Sequence, residues 1–361
     1  MKLRLKNTPE QIELIKQMGS RDESISLPAK QAFAGQVIGP VVEKVLLKAG
    51  TASVIYRDLP YNQDDNPSFP LDLWYDEDAG YVTIWSQTVA GGLPTATVQG
   101  NAELKFGTYR LDSAIGFDKK YARKANLDVV AKGLERMSQE VLIKQEKNAW
   151  AVVLRALAEA STNGLAHVIS ATTTSVFQVD DLNRLLTRNR RINTAWNKDT
   201  PVGAQSKGIT DLFVSPEIKE QVRSFAYQPM NTRATPDTSE STVLGLPDNV
   251  REQIYRAAGA TEIYGVNLIE LLEFGLNAKY NLLFDGFYSS SFDPANDEIL
   301  VGIDLSREGF VRPVETSEGQ STFTAVNDDQ FVSRQDKIGF YGFLSEGRVC
   351  LDSRVMSGII V

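Results

Sequence analysis

The segment NLDVVAKGLERMSQEVLIKQEKNAWAVVLRALAEASTNG, from Asn126 to Gly164, is unusual for its length rather than for its chemistry. Its apolar residues recur every three or four positions, as on one face of a helix: Leu127, Val130, Leu134, Met137 and Val141, then Trp150, Val153, Leu154 and Leu157. Asn126 is a favourable N-cap, and Asn163-Gly164 is a favourable stop. At 1.5 Å per residue, about 35 residues make a rod of roughly 50 Å, far longer than the ordinary helix. We predict one long structural helix, in which Gly133 marks a bend or a close contact.

Composition and charge exclude several classes of protein. The 361 residues are 42% hydrophobic and 23% charged, enough for two or three substructures with a core. Cys350 is the single cysteine, so no intrachain disulfide and no cysteine-based metal site can form. The net charge of −8 argues against a surface that binds nucleic acid as a whole. The start lacks a signal peptide's apolar stretch, and no apolar run approaches the ~18 residues of a membrane helix. We expect a soluble intracellular protein.

The first fifty residues read as an arm of short helical pieces. Thr8-Pro9-Glu10-Gln11 is a typical helix start, and Gly19 ends that helix. The next residues, RDESIS (21–26), read as a polar connector, and Gly39-Pro40 breaks the helical pattern that follows. Because the arm has too little apolar surface to fold alone, we expect it to lie on another surface.

Residues 51–100 have a different character. Four prolines interrupt them, and β-prone runs such as YVTIWSQTV flank the sequence AGGLP. We interpret this segment as a long hairpin-like loop with Gly91-Gly92 at or near its tip. So long a loop is unusual inside a compact domain, which indicates that it reaches outward.

Beyond Gly164 the sequence alternates between helical and strand patterns, which predicts a mixed α+β domain. Helices are expected at DDLNRLLTRNRRI, from Ser215-Pro216-Glu217 onward, and at NVREQIYRAAG, and strands at ITDLFV, EIYGVNLIE, NLLFDGFY and EILVGIDL. The last part, DKIGFYGFLSEGRVCLD, predicts two strands joined across Ser345-Glu346-Gly347.

Catalytic signatures are missing from the sequence. His167 is the single histidine, which excludes paired-histidine metal sites, and we interpret it as structural. Neither a P-loop nor a dinucleotide fingerprint occurs, since Gly91-Gly92 precede β-prone sequence. The acidic clusters at residues 64–65, 76–78 and 328–329 read as solvated surface, as does the basic RNRRI (188–192). We therefore predict no enzyme activity, no metal and no cofactor, although two distant carboxylates could still serve a hydrolase.

Taken in order, these pieces resemble the major capsid proteins of tailed bacteriophages, the Hong Kong 97-like fold. FGTYRLDSAIGFDKKYARKANLDVVAKGLERMSQEVLIKQEKNAWAVVLRAL is similar to that family's strand leading into its spine helix. GITDLFVSPEIKEQVRSFAY is similar to the entry into its axial domain, the A-domain, and DQFVSRQDKIGFYGFLSEGRVCLDSRVM to the strands that return to its peripheral domain, the P-domain.

The resemblance implies an α+β fold with five segments. They are an N-terminal arm (1–50), an extended loop (51–104), a P-domain with the spine helix (105–162), an A-domain (163–325) and C-terminal strands returning to the P-domain (326–361). It also implies a subunit that self-assembles into pentamers and hexamers of an icosahedral head around a DNA genome contacted non-specifically. The implied location is the virion, after assembly in the host bacterial cytoplasm. Portal, scaffolding and decoration proteins are the implied partners, and no membrane is involved.

Two other functions stay open. An encapsulin-type cellular compartment would have the same fold around enzymes instead of a genome, and a carboxylate-based hydrolase would be a different class of protein. One departure from the family's type member is clear. That protein is cross-linked through a lysine on the extended loop, whereas residues 51–100 here contain no lysine and Lys105 lies at the base.

Opposite charges predict an interface between subunits. Residues 51–100 carry seven acids and one base, whereas residues 118–161 carry nine bases and six acids. We expect the loop of one subunit to dock on a basic face of its neighbour, with aromatic residues at the centre of the contact. The candidate residues are Trp74, Asp76, Glu77, Asp78 and Trp85 on the loop, and Lys119, Lys120, Arg123 and Lys124 before the long helix.

Overall fold

The computed structural model describes residues 8–38, 42, 50–62, 67–70, 103–124, 127–162, 164–193, 208–224, 262–288, 292–316, 323–328 and 336–361. The chain divides into two compact units. The first unit comprises Met1–Trp74, Gln99–Ala149 and Phe310–Val349, and the second comprises Tyr75–Val98, Trp150–Gly309 and Cys350–Val361.

The described residues form a mixed α and β fold, as predicted. The helices are α1 Pro9–Met18, α2 Glu23–Phe33, α3 Ala52–Ile55, α4 Lys119–Arg123, α5 Leu127–Glu159, α6 Val179–Asn193, α7 Pro216–Ser224 and α8 Lys279–Asp285. The strands are β1 Arg57–Tyr61, β2 Ser68–Pro70, β3 Glu103–Lys105, β4 Tyr109–Asp118, β5 Ser161–Thr162, β6 Leu165–Ala166, β7 Val168–Ser170, β8 Asp211–Val214, β9 Glu262–Ile263, β10 Val266–Glu270, β11 Ile299–Ile303, β12 Phe310–Glu315, β13 Thr324–Asp328, β14 Lys337–Glu346, β15 Val349–Cys350 and β16 Met356–Ile360.

The first unit is built on a six-stranded sheet in the order β1-β12-β14-β13, with β4 also paired to β14 and β15 to β12. Strands β4 and β14 pair antiparallel over ten residues, from Tyr109 opposite Glu346 to Asp118 opposite Lys337. Leu134, Met137 and Val141 of the apolar stripe of α5 share one core with β14 of this sheet. The predicted long helix is therefore present, with 33 residues.

Gly133 is a point of close contact between α5 and β4. A Cβ atom at Gly133 would lie 2.5 Å from Cδ1 of Ile115. The close approach that the sequence suggested at this glycine is thus confirmed.

The arm lies on its own chain. As predicted, Thr8 caps α1 through a hydrogen bond from the Gln11 amide to its hydroxyl (3.4 Å), and Gly19 follows the last helical residue. Ile15 of α1 and Phe33 of α2 are buried in the core of the first unit. The expectation that the arm lies on another surface is confirmed for its described part, and that surface is formed by β14 and α5 of the same chain.

The second unit has a six-stranded sheet in the order β7-β16-β11-β8-β10-β9. Side chains alternate between the faces of a strand, so Leu212 and Phe213 of β8 point to opposite sides. Leu212 shares a core with α6 and α7. Phe213 lies 5.0 Å from the Trp150 ring, which in turn contacts Phe274 and Tyr280. Helices α6 and α7 thus pack on the face of Leu212, and Trp150 of α5 packs on the face of Phe213 together with Phe274 and Tyr280.

Several local predictions need correction. The long helix ends at Glu159, earlier than Asn163-Gly164, because β5 and β6 pair around Gly164, whose φ is +72°. The segment RDESIS is not a connector throughout, since Asp22 caps α2 and the helix starts at Glu23. The expected strand at NLLFDGFY is helix α8, because helical spacing buries Tyr280 and Phe284 together on one side.

The boundaries of the two units do not coincide with those of the predicted domains, which stay a prediction. Strand β12 lies in the first unit although residues 163–325 were assigned to the A-domain. Strand β16 lies in the second unit, paired between β7 and β11, although residues 326–361 were expected to return to the P-domain. The two strands predicted around Gly347 are present as β14 and β15, and β15 pairs with β12. The predicted loop tip at Gly91-Gly92 and the helix at NVREQIYRAAG lie outside the described residues.

Candidate subunit interface

The predicted basic cluster is one short helix with its flanking residue. Strand β4 ends at Asp118, which has extended backbone angles, and α4 then carries Lys119, Lys120 and Arg123, with Lys124 at its C-cap. Ala122 is fully buried in the core of the first unit. Burial of this alanine fixes the position of α4 on the first unit, and with it the backbone that carries the basic side chains.

Neighbouring acids balance part of this charge. Asp336 lies 3.8 Å from Nζ of Lys119 and 3.7 Å from the Arg123 guanidinium. Nζ of Lys120 lies 3.0 Å from Asp118, and this hydrogen bond raises the pKa of Lys120. Four bases thus stand beside two acids, and the face remains positive.

Arg123 has a structural task as well. Its Nε donates a hydrogen bond of 2.9 Å to the carbonyl oxygen of Gly19, at the end of α1. The last carbonyl groups of a helix lack partners within the helix, so this bond fastens the arm to α4. The side chain of Lys119 is 19% exposed and that of Lys120 is 62% exposed. Lys120 and the exposed Lys124 are therefore the members best placed to meet another molecule.

The loop half of the predicted interface lies outside the described residues. This applies to Trp74, Asp76, Glu77, Asp78 and Trp85. Docking of the loop on the basic face accordingly stays a prediction. Sequence reasoning missed Asp336 and Gly19, because both reach α4 only through the tertiary fold.

His167 is buried, and its Nδ1 lies 3.0 Å from the carbonyl oxygen of Met356, to which it donates a hydrogen bond. Burial lowers the pKa of His167, so the neutral ring is favoured. These contacts agree with a structural histidine.

Within the described ranges, no group of three or more histidine, cysteine or acidic side chains could hold a metal ion. None of the described helices is long and apolar enough to cross a membrane.

The comparisons with known proteins concern structure alone, because no family model and no curated protein sequence matches the chain. The capsid structure of the cyanophage P-SCSP1u is similar over 84% of this chain and 86% of its own, with 13% identity and a TM-score of 0.51. The chain has the Hong Kong 97-like capsid fold. Structures of Microbacterium phage Oxtober96 (12% identity, 86% and 90% covered, TM-score 0.48) and of the SrpI encapsulin from Synechococcus elongatus (11%, 84% and 84%, 0.47) are also similar.

The resemblance expected from the quoted segments is thus confirmed at the level of the fold. In this capsid fold, α5 corresponds in sequence to the segment likened to a spine helix. Strand β8 and helix α7 correspond to the segment likened to the entry into the A-domain.

Proposed function

We propose that this chain is a structural subunit that self-assembles into pentamers and hexamers of an icosahedral phage head enclosing DNA. The observation that carries the proposal is the capsid fold shared with the cyanophage structure over 84% of the chain. In the proposed shell, the first unit contributes most of the P-domain together with the arm, and the second unit contributes most of the A-domain.

The test of assembly is electron microscopy of the purified, negatively stained protein. We expect closed shells of uniform size, built from rings of five and six subunits. Nuclease-protected DNA inside particles from infected cells supports the phage head, whereas an enclosed enzyme supports an encapsulin-type compartment. A protein that stays monomeric at high concentration and with a scaffolding protein present contradicts the proposal.

The proposed contact between subunits joins the acidic loop to the basic face. Asp76, Glu77 and Asp78 of one copy would face Lys120 and Lys124 of its neighbour, at the rim of a contact centred on Trp74 and Trp85. Exposed ion pairs contribute only about 0–1 kcal/mol each. The charges would therefore set the register, and burial of the aromatic rings would supply most of the affinity.

Charge reversal tests this contact. We expect replacement of Asp76, Glu77 and Asp78 by lysine to weaken assembly at low salt, and less so at high salt, where screening shortens the repulsion. Lys120→Glu with Lys124→Glu should have the same effect, and combining both sets in one chain should restore assembly. Lys144→Glu with Lys147→Glu, two exposed positions on α5, is the control. Normal assembly of the triple variant at low ionic strength contradicts the contact.

A further inference from the structure

A basic groove runs along α6 in the second unit. It has a volume of about 650 Å³, and its floor includes the partly buried side chains of Leu165 and Ile169. Arg184, Arg188 and Arg191 line its wall. Positions i, i+4 and i+7 lie on one face of a helix, so the three arginines form a stripe above an apolar floor. We name this surface the arginine groove.

Bonds within the unit fix the orientation of two of these arginines. Arg184 donates from one terminal nitrogen to the Thr172 hydroxyl (2.7 Å) and lies 3.4 Å from the buried carboxylate of Asp181. Nε of Arg188 donates to the carbonyl oxygen of Ala166 (3.0 Å). A guanidinium has five N–H donors, so these bonds hold the planes of Arg184 and Arg188 while other donors remain for a carboxylate.

Three exposed leucines with acidic neighbours follow one another in the stretch from the end of β10 to the end of α8. Leu272 is 78% exposed, Leu276 49% and Leu282 52%. The acidic residues Glu273 and Asp285 in the same stretch are also exposed. We name these five residues the leucine patch.

The packing of the second unit forces these leucines outward. Phe274 and Tyr280 are buried against Trp150. The amide of Tyr280 donates to the carbonyl oxygen of Glu273 (3.0 Å), which fixes the loop between the two aromatic residues. With the aromatic rings turned inward, the leucines face solvent. An apolar centre with a charged rim is typical of an interface.

We propose that the leucine patch of one copy docks into the arginine groove of the next copy, head to tail. This inference rests on the proposed function and specifies the contact within a ring of subunits. The two surfaces are complementary, since leucines meet an apolar floor and carboxylates meet arginines. The two surfaces are built from different residues, so a contact between them is head to tail rather than between like surfaces. A contact between different surfaces repeats from copy to copy, and it closes into a ring when the rotation between copies divides a full turn.

The lining of the groove favours a protein segment over nucleic acid. None of its described lining residues is aromatic, whereas single-stranded nucleic acid is bound largely by stacking on aromatic side chains. An acidic residue, Asp180, also lines the groove, and the net charge of −8 opposes phosphate.

Complementary charge reversal tests the contact. The groove variant carries Arg188→Glu and Arg191→Glu, and the patch variant carries Glu273→Lys and Asp285→Lys. Each variant alone would oppose like charges, so we expect at least a tenfold loss of rings in mass photometry at low salt. In an equimolar mixture every contact of a six-membered ring can join opposite charges. Hexamers should therefore return with the two variants alternating, as measured by native mass spectrometry, whereas a ring of five cannot alternate and should stay rare. We expect the wild-type rings to stay intact after treatment with nuclease. Their persistence would exclude a bridge of nucleic acid between subunits.

Leu272→Ser tests the apolar part of the contact. Because Leu272 is largely exposed in the single chain, the variant should keep the wild-type melting temperature yet lose ring formation. Val176→Ser, at an exposed site outside both surfaces, is the matched control. The inference is wrong if both charge variants form rings as well as the wild type does at low salt, or if the mixture of the two fails to restore rings. In either case the proposed shell function is unaffected, because the wild type still assembles. If the wild type forms no assembly, the proposed function itself fails.

Discussion

At the scale of single residues, Asp352 is the clearest case of a charged group held in an unfavourable place. Its Oδ1 accepts hydrogen bonds from the backbone amide and Nε of Arg354, at 3.0 and 2.9 Å. Its Oδ2 is buried without a hydrogen-bond partner in the described part of the chain. Burial raises the pKa of Asp352 to about 6, against the opposing effects of the Arg354 amide and Arg307.

This shift predicts how stability depends on pH. An unfolded aspartate has a pKa of about 3.9, so between about pH 4 and pH 6 the folded chain binds more protons than the unfolded chain. The free energy of unfolding due to Asp352 therefore falls as pH rises through this window, by up to about 2 kcal/mol. Asp352→Asn keeps the acceptor for Arg354 and stays neutral. Its free energy of unfolding relative to that of the wild type should therefore increase when the pH is raised from 4.5 to 7.5. Denaturant unfolding at the two pH values measures this, with the exposed Asp285→Asn as control. An identical difference at both pH values contradicts the prediction.

At the scale of elements, the contact between α5 and β4 at Gly133 sets the distance between helix and sheet. Glycine to alanine inside a helix normally stabilises it by about 1 kcal/mol, but a Cβ here would press on Ile115. Gly133→Val should therefore destabilise the chain by about 1–3 kcal/mol. In an Ile115→Ala background the cost should shrink, since the obstructing atoms are gone. Equal costs in both backgrounds, measured by denaturant unfolding, would mean that Ile115 is not the obstacle.

The same elements indicate what sequence patterns can predict. Helix α5 and strands β8 and β11 follow from local periodicity, and the basic cluster of α4 was visible because its members are consecutive. Helix α8 was misread, because NLLF is apolar without a period long enough to separate helix from strand. The arginine stripe of α6 has a helical spacing in the sequence, but its floor of Leu165 and Ile169 does not. The bond from Arg123 to Gly19 joins residues 104 positions apart, and no local pattern records it.

At the scale of the whole molecule, the proposed shell should be held together without covalent bonds between subunits. The family's type member is cross-linked through a lysine of the extended loop, and residues 51–100 of this chain contain none. Mature particles should therefore dissociate into single chains in hot denaturing detergent. A ladder of multimers on a denaturing gel, resistant to reductant, contradicts this. Lys105→Arg would then test whether the lysine at the base of the loop takes over the reaction.

The position of β16 has a consequence for the timing of synthesis. This strand, residues 356–360, lies between β7 at residues 168–170 and β11 at residues 299–303. Strand β7 therefore leaves the ribosome about 190 residues before its neighbour exists, an interval of roughly 10–40 s at 5–20 residues per second. The arginine groove borders β7, so a nascent chain would lack a finished docking surface throughout that interval. Truncated translation products would then be unable to enter a ring, and the order of synthesis itself would keep defective subunits out of the shell.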